Sequence, residues 1–409
     1  MSKPALLSVA DALARVLAGA EPLPIERVAV GAALGRTLAH DLIARRTQPP
    51  FANSAMDGYA LRSLDALAPG RLRLIGESAA GRPFAGALAP GQAVRIFTGA
   101  PIPAGADAVL VQEDAERQGD DLIFEKPQPP GHNIRAIGID FATGETLLRA
   151  GRCLSARDIA LAAAANHAEI EVRRRPRVGV LATGDELVQP GQAIGEAQIV
   201  ASNNFAVAGL VHACGGEAID LGIAPDEMSA LGQKFAQAAG ANADILVTLG
   251  GASVGDYDLV QKALTGAGLE LGFWRIAMRP GKPLMHGRLG AMHVLGLPGN
   301  PVSSAVCAVL FLRPLLRALQ GDPQAGADMS EPARLGADVA ANDQRQDYLR
   351  AVLTQNGDGP PLATPFAPQD SSLVKVLAQA DALLLRPPFA PPGKRGDACR
   401  ILRLGALGL

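Results

Sequence analysis

Three sharp turns, each following an apolar run, hold the residues best suited to chemistry: Leu246 to Asp258 (LVTLGGASVGDYD), Met278 to Pro283 (MRPGKP) and Val294 to Ser304 (VLGLPGNPVSS). Gly250, Gly251, Ser253 and Gly255 let the backbone approach a ligand closely, because glycine lacks a Cβ. The first and third turns each lead into a helix-like segment. A helix start offers unpaired N–H groups and a partial positive charge to an anion. Arg275, Arg279 and Lys282, four and three residues apart, add full charges around the middle turn. Hydrogen bonds to ionised groups contribute about 1.5–3 kcal/mol each. Any one of these turns alone would be ordinary Gly/Pro punctuation. Three in one stretch point to a site for a phosphorylated ligand.

The elements that must position these turns follow from periodicity. From Arg177 onward strand-like and helix-like segments alternate: strands at Val178–Leu181, Ala218–Ile223, Asp244–Leu249, Leu271–Met278 and His293–Leu297, and helices at Asn203–Ala213, Glu227–Ala239, Leu259–Thr265 and Ser303–Leu319. Such alternation predicts a largely parallel sheet covered by helices on both faces, with ligands at the carboxyl ends of its strands. All three turns fall at that edge, as does TGDEL after Leu181. Upstream, Ser8–Ala18 is helical with Ser8 as cap. From Phe51 to about Asp140 short alternating runs (Leu72–Ile75, Ala93–Phe97, Ala108–Gln112) between Gly and Pro read as a small β domain. Ser155–Ala165 reads as a buried helix. After a Gly/Asp/Pro/Ala linker, short strands with many prolines predict a second β domain.

The chain has 409 residues, a 48% hydrophobic and 19% charged composition, and a formal net charge of −2. It lacks the basic excess of a nucleic-acid binder, and aromatics at 4% are too few for base-stacking platforms. Cys153, Cys214, Cys307 and Cys399 form no zinc-like spacing and are expected as reduced thiols in a cytoplasmic protein. Asp11 and Arg15 interrupt the N-terminal apolar stretch, against a secretory signal. No segment is expected to approach the ~20 apolar residues of a membrane span.

Seven motifs resemble one family nearly end to end: FANSAMDGYALR from Phe51, RIFTGAPIPAGADAVLVQED from Arg95, NIRAIGIDF from Asn133, RVGVLATGDELVQPG from Arg177, LVTLGGASVGDYD from Leu246, WRIAMRPGKP from Trp274 and GLPGNPVSS from Gly296. The family is the molybdopterin molybdenumtransferases, called MoeA in bacteria and the E domain of gephyrin in animals. The last eighty residues match more loosely. The resemblance implies a multidomain α/β plus β fold. Its parts are a split elongated N-terminal domain (1–50 and 141–175), an inserted β domain (51–140), a molybdopterin-binding α/β domain (176–325) and a C-terminal β-barrel (326–409). It also implies a cytoplasmic homodimer whose active site combines the β insertion of one subunit with the α/β and C-terminal domains of the other.

The implied reaction inserts molybdate into adenylylated molybdopterin, with Mg2+-dependent hydrolysis of the pyrophosphate and release of AMP. By resemblance, Asp57, Asp140, Glu186 and Asp256 fall at catalytic positions, and Glu186, Asp226 and Asp258 at metal positions. Thr98, Gly250, Gly251, Ser253, Gly255, Arg275, Arg279, Lys282, Pro298, Pro301, Arg350 and Ser371 fall at substrate positions. Several have plain structural readings too: Asp57 before Gly58 is a hairpin signal, Asp226 and Asp256 suit helix starts, and Thr98 either donates to an anion or closes a turn. Charge balance supports the metal. Two carboxylates ~6 Å apart repel by about 3 kcal/mol at an effective dielectric near 20, so an acidic cluster facing a pyrophosphate needs a cation. Glu186 and Asp140 are the candidates for the base that activates water. Expected partners include the upstream adenylyltransferase and the acceptor molybdoenzymes, but no nucleic acid and no membrane. Two other readings stay open: an adenylyltransferase of the same α/β type, and an interaction scaffold like the gephyrin E domain.

Overall fold

In the computed structural model, which describes residues 6–250 and 259–409, the alternating segments after Arg177 build one six-stranded sheet. Its order is Glu217–Ala224, Arg177–Thr183, Ile245–Leu249, Met292–Leu297, Met285–Leu289, Glu270–Trp274. The first four strands run parallel, and the last two add antiparallel. Alternate residues sort to two faces. Val178, Val180, Ile245, Val247 and Leu295 pack with Val207, Leu210, Val302 and Val306. Leu181, Leu246 and Val294 pack with Leu231, Phe235, Val260 and Leu264. Burial on both faces is why these strands read as continuous apolar runs rather than alternating ones.

Two elements differ from expectation. The run Leu271–Met278 is not one strand. It breaks at Arg275, whose φ is 144°, and Met278–Arg279 pairs instead with Gln346–Asp347 of the C-terminal domain. The antiparallel strand Met285–Leu289 was not anticipated, because MHGRL carries too little apolar pattern to announce itself. The long helix Pro301–Leu319 passes through a π-helical segment, Ala308–Leu312, just before Pro314, which has no N–H to donate. By length and a mean hydropathy of 1.7 it could cross a membrane, contrary to expectation, but 83% of that stretch is buried inside the protein. It is the central core helix of the α/β domain.

Strands before and after the insertion pair with each other: Ile25–Ala29 with Glu169–Arg173, and Leu42–Ile43 with Thr146–Leu148, both antiparallel. The helix Val9–Leu17 is capped by Ser8, whose Oγ accepts from the Asp11 N–H at 3.1 Å. It packs Ala12 and Val16 into the α/β core rather than onto the segment that follows it. The helix Ala156–Ala164, expected to be buried, lies at the surface with only Asp158 and Ala162 buried. Its alanines are apolar by composition and excellent helix formers, so they make a helix without needing a core.

The insertion forms a six-stranded curled sheet ordered Ala108–Val111, Gly58–Leu61, Gln92–Ile96, Gly70–Ser78, Asp121–Phe124, Ala115–Gln118. Its core is Leu61, Leu72, Ala93, Leu110, Leu122 and Phe124. In the C-terminal domain, the strands Gln346–Asn356, Gly359–Pro365, Glu331–Leu335, Ala398–Arg403 and Ala382–Arg386 pair in that order. The last returns to the first and closes a barrel.

Candidate active site

Four parallel strands end at one cleft of about 610 Å³. Thr183, Gly184 and Glu186 come from the end of Arg177–Thr183, Asp226 follows Glu217–Ala224, and Gly250 ends Ile245–Leu249. Pro298, Gly299, Asn300 and Pro301 lead from Met292–Leu297 into the core helix. This is the carboxyl edge where an open α/β sheet takes its ligands. Gly250 has φ 103°, and a Cβ there would lie 2.7 Å from the Thr183 carbonyl oxygen. Neighbouring strand ends thus approach each other at a point where only glycine fits. At Gly184 the backbone φ of 142° favours glycine, but the atom a Cβ would meet, Oε2 of Glu186, ends an exposed side chain that can move aside.

The acidic side of the cleft is Glu186 and Asp226, with Asp185 next to them. The Asp226 N–H donates to Oδ1 of Asp185 at 3.1 Å. Burial, and then the charges of Asp185 and Glu186, raise the Asp226 pKa above the ordinary carboxylate value. A group pressed this way gains from a cation. The donors are all hard oxygens, which suits magnesium. Among the described residues no three acidic, His or Cys side chains form a ready-made cage. Magnesium does not require one, since it keeps waters and uses substrate phosphates as ligands.

The three predicted cations do not line the cleft; Pro283 from their turn does. Arg279 is committed elsewhere. Its guanidinium pairs with the buried Asp347 and lies 3.6 Å from Asp343, both of the C-terminal domain. Arg275 stacks over the Trp274 ring at 5.1 Å, while its Nε is buried without a hydrogen-bond partner. Its φ of 144° is a conformation that costs about 1–3 kcal/mol in a non-glycine residue and tends to mark functional turns. Lys282 is exposed and has no partner among the described residues.

The C-terminal domain reaches the cleft through one loop. Ser372 lines it, and the Ser371 carbonyl accepts from the Val302 N–H at 3.0 Å, at the start of the core helix. Arg350 holds this loop from beneath. It is 1% exposed, and its Nη2 donates to the Asp370 carbonyl at 2.9 Å. Gln369 bonds to both the N–H and C=O of Arg350 at 3.0 Å. Arg350 is therefore a support for the loop and not a cleft residue. Burial lowers its pKa.

Asp57, Thr98 and Asp140 form a separate group on the insertion. Oδ1 of Asp57 accepts from the Thr98 N–H at 2.7 Å and from the Thr98 hydroxyl at 2.8 Å. The backbone bond, then the hydroxyl, hold the Asp57 carboxyl below the usual carboxylate range. Thr98 thus closes a turn and spends its proton on Asp57. Asp140 lines a neighbouring concavity of about 470 Å³ with Arg46, Arg135 and Gly99. Among the described residues no hydrogen bond, ion pair or shared cavity joins this group to the cleft. The predicted Gly251, Ser253, Gly255, Asp256 and Asp258 lie outside the described residues.

The cleft also contains residues that pattern reading passed over. Ser202, Asn203 and Asn204 line it at the start of Asn203–Ala213. Asn203 Nδ2 donates to the Gly299 carbonyl at 2.7 Å. Asn204 is 4% exposed, and its Oδ1 has no partner. The only signal was S-N-N before an apolar helix, which is indistinguishable from an ordinary cap.

Comparison with known proteins gives a consistent result over the whole chain. Residues 7–166 match a model described as MoeA N-terminal region (domain I and II), 179–318 a probable molybdopterin binding domain, and 332–404 MoeA C-terminal region (domain IV). A molybdopterin molybdenumtransferase of Haemophilus influenzae is 40% identical over 304 residues, 74% of this chain and 75% of that one. One from Staphylococcus aureus is 30% identical over 397 residues, 95% and 93% of the two. Two structures of the molybdopterin biosynthesis MoeA protein of Pyrococcus horikoshii superpose with TM-scores of 0.82. They are 31% and 28% identical over 98% and 97% of this chain, and 99% of theirs.

Proposed function

This chain belongs to the molybdopterin molybdenumtransferase family and inserts molybdenum in molybdenum cofactor biosynthesis; from the cleft geometry we propose how it does so. Adenylylated molybdopterin lies along the carboxyl edge of the parallel sheet. Its pyrophosphate sits against Gly250 and Gly299, which carry no side chain and let the backbone come close, beside the prolines of the Pro298–Pro301 turn. The single observation that carries this placement is the convergence of four strand ends, one of them at the glycine-only position Gly250, with a carboxylate cluster whose Asp226 is destabilised in its charged form. Asp226 and Glu186 would hold a magnesium ion, which when bound supplies neutralisation of the phosphate charge. Glu186, exposed at the cleft, is placed to accept a proton from the water that attacks phosphorus, and AMP leaves. Lys282, exposed on the MRPGKP turn next to the cleft residue Pro283, attracts the dianionic molybdate substrate, and the charge of Arg275 adds to the field there.

Asp57 and Asp140 need a second chain to reach this cleft. Around them Phe51 (42%), Met56 (43%), Ile137 (60%) and Ile139 (66%) expose apolar side chains, which supports burial against another copy. The protein would then act as a homodimer with sites shared across it. All four cysteines are free, which supports a reducing cytoplasmic location.

The test mixes purified protein, adenylylated molybdopterin, magnesium and molybdate and follows AMP. Turnover that is indifferent to magnesium removal would defeat the metal assignment. Sharing across subunits is tested by mixing inactive Asp57→Ala with inactive Glu186→Gln. Half of the dimers formed are mixed, each with one intact site, so about a quarter of wild-type activity returns. No recovery after verified subunit exchange would place both residues in one chain's site.

A further inference from the structure

A second pocket, of about 460 Å³, opens where the split N-terminal segment, the α/β domain and the C-terminal end meet. Arg175 lines it just before the strand Arg177–Thr183, so it lies at the amino end of the strand whose carboxyl end forms the cleft. Seven residues of strand put the two roughly 20 Å apart. Three arginines line this pocket. Arg175 Nη1 donates to the Gly215 carbonyl at 2.9 Å. Arg317 Nε donates to Asp322 at 2.6 Å, but its Nη1 is buried without a partner. Arg313, half-buried on the same helix one turn earlier, makes no hydrogen bond or ion pair from its side chain among the described residues. Asp322 is the one acid lining the pocket against three arginines, with Glu26 and Glu217 acting on Arg175 from outside it, so Arg313 is the arginine without an acidic partner of its own. Burial lowers the pKa of both Arg175 and Arg313. Leaving Arg313 half-buried beside the like charge of Arg317 and without a hydrogen-bond partner is costly.

We propose that this pocket is a binding site for a tetrahedral oxyanion carrying two negative charges, held by Arg313 and Arg175, with the charge of Arg317 beside them. Guanidinium groups match such oxyanions in charge and in the geometry of paired N–H donors. The site is distinct from the cleft and does not depend on how the cleft is read. The ion is either free or the phosphate end of a nucleotide.

Cys153, exposed and on the pocket wall, reports occupancy without any activity measurement. The full-length protein is treated with iodoacetamide at constant ionic strength in sodium chloride, with inorganic phosphate, molybdate or AMP added in turn. Alkylation of Cys153 and Cys399 is followed by peptide mass spectrometry. Binding slows Cys153 alone, and Arg313→Gln raises the concentration needed by at least about tenfold. Equal protection by phosphate and molybdate identifies a free oxyanion, and protection by AMP at lower concentration identifies a nucleotide. Protection no greater than with chloride, or unchanged in Arg313→Gln, overturns the proposal. If Arg313→Gln does not fold, Arg175→Gln takes its place.

Discussion

Two glycines at adjacent strand ends in the cleft should respond differently to one added methyl group. At Gly250 a Cβ would stand 2.7 Å from the Thr183 carbonyl oxygen and 3.1 Å from its Oγ1, with φ at 103°. At Gly299 the nearest atom would be the Cα of Gly250 at 3.6 Å, an ordinary contact, and no positive φ is involved. For Gly250→Ala, a left-handed backbone costs about 1–2 kcal/mol and forced overpacking a further ~1–3, so a loss of about 2–5 kcal/mol is expected. For Gly299→Ala the expected change is within about 0.5 kcal/mol, as for most unstrained surface positions. Urea unfolding gives both values, read from midpoints at constant m. AMP release should fall sharply in Gly250→Ala, because the strand end must move away from Thr183. Were the two variants equally stable, the close approach of the strand ends would not be what requires glycine here.

Replacing Arg279 with Met leaves Asp347 buried without its cation and should destabilise by about 1–3 kcal/mol in urea, a buried-pair loss discounted for the half-exposed arginine. Arg350→Met removes a charged donor from the Asp370 carbonyl but relieves a buried charge, so stability should change little while KM rises about tenfold through a loosened Ser371–Ser372 loop; an unchanged KM would deny Arg350 its positioning role. Asp343 is held down to about 2, first by its hydrogen bond from Arg345. A depressed pKa gives stability that is present above the unfolded value near 3.8 and lost as pH falls through about 2. The acid limb of Asp343→Asn should therefore be flatter between about pH 4 and pH 2. Asp226 has the opposite sign: its raised pKa means the folded state favours the protonated form, an advantage lost as pH rises through the folded value. Adding magnesium, or making Glu186→Gln, should lower that pKa, followed by carbonyl NMR of Asp226; no movement with magnesium would remove Asp226 from the metal site.

How much of this was legible beforehand depended on the range of the forces involved. Helix Asn203–Ala213 and the buried strands of the parallel sheet follow from local periodicity, and Ser8 capped where a serine before an apolar helix should. Met285–Leu289 escaped because its place is set by pairing with Met292–Leu297 across a turn, not by its own pattern. The helix Ala156–Ala164 reads as buried from its composition but lies at the surface, because alanine satisfies a helix whether or not it is buried. Glu186, Asp226, Gly250, Pro298 and Pro301 were named from motifs, and the fold brings them to one cleft. Asn204 was not, since an unpartnered buried amide is visible only when its neighbours are known.

The sequence by itself determined the family, the order of its parts and the turns that end at the sheet's carboxyl edge, because motif and period are local properties of the chain. Tertiary structure alone decided the partners. Arg279 goes to Asp347 and not to the cleft, Thr98 gives its proton to Asp57, and Arg350 lies beneath the loop it was expected to share with a ligand. The reason is physical: a side chain's charge is written in the sequence, but what neutralises it is whatever the fold places within about 3 Å, often from residues far along the chain.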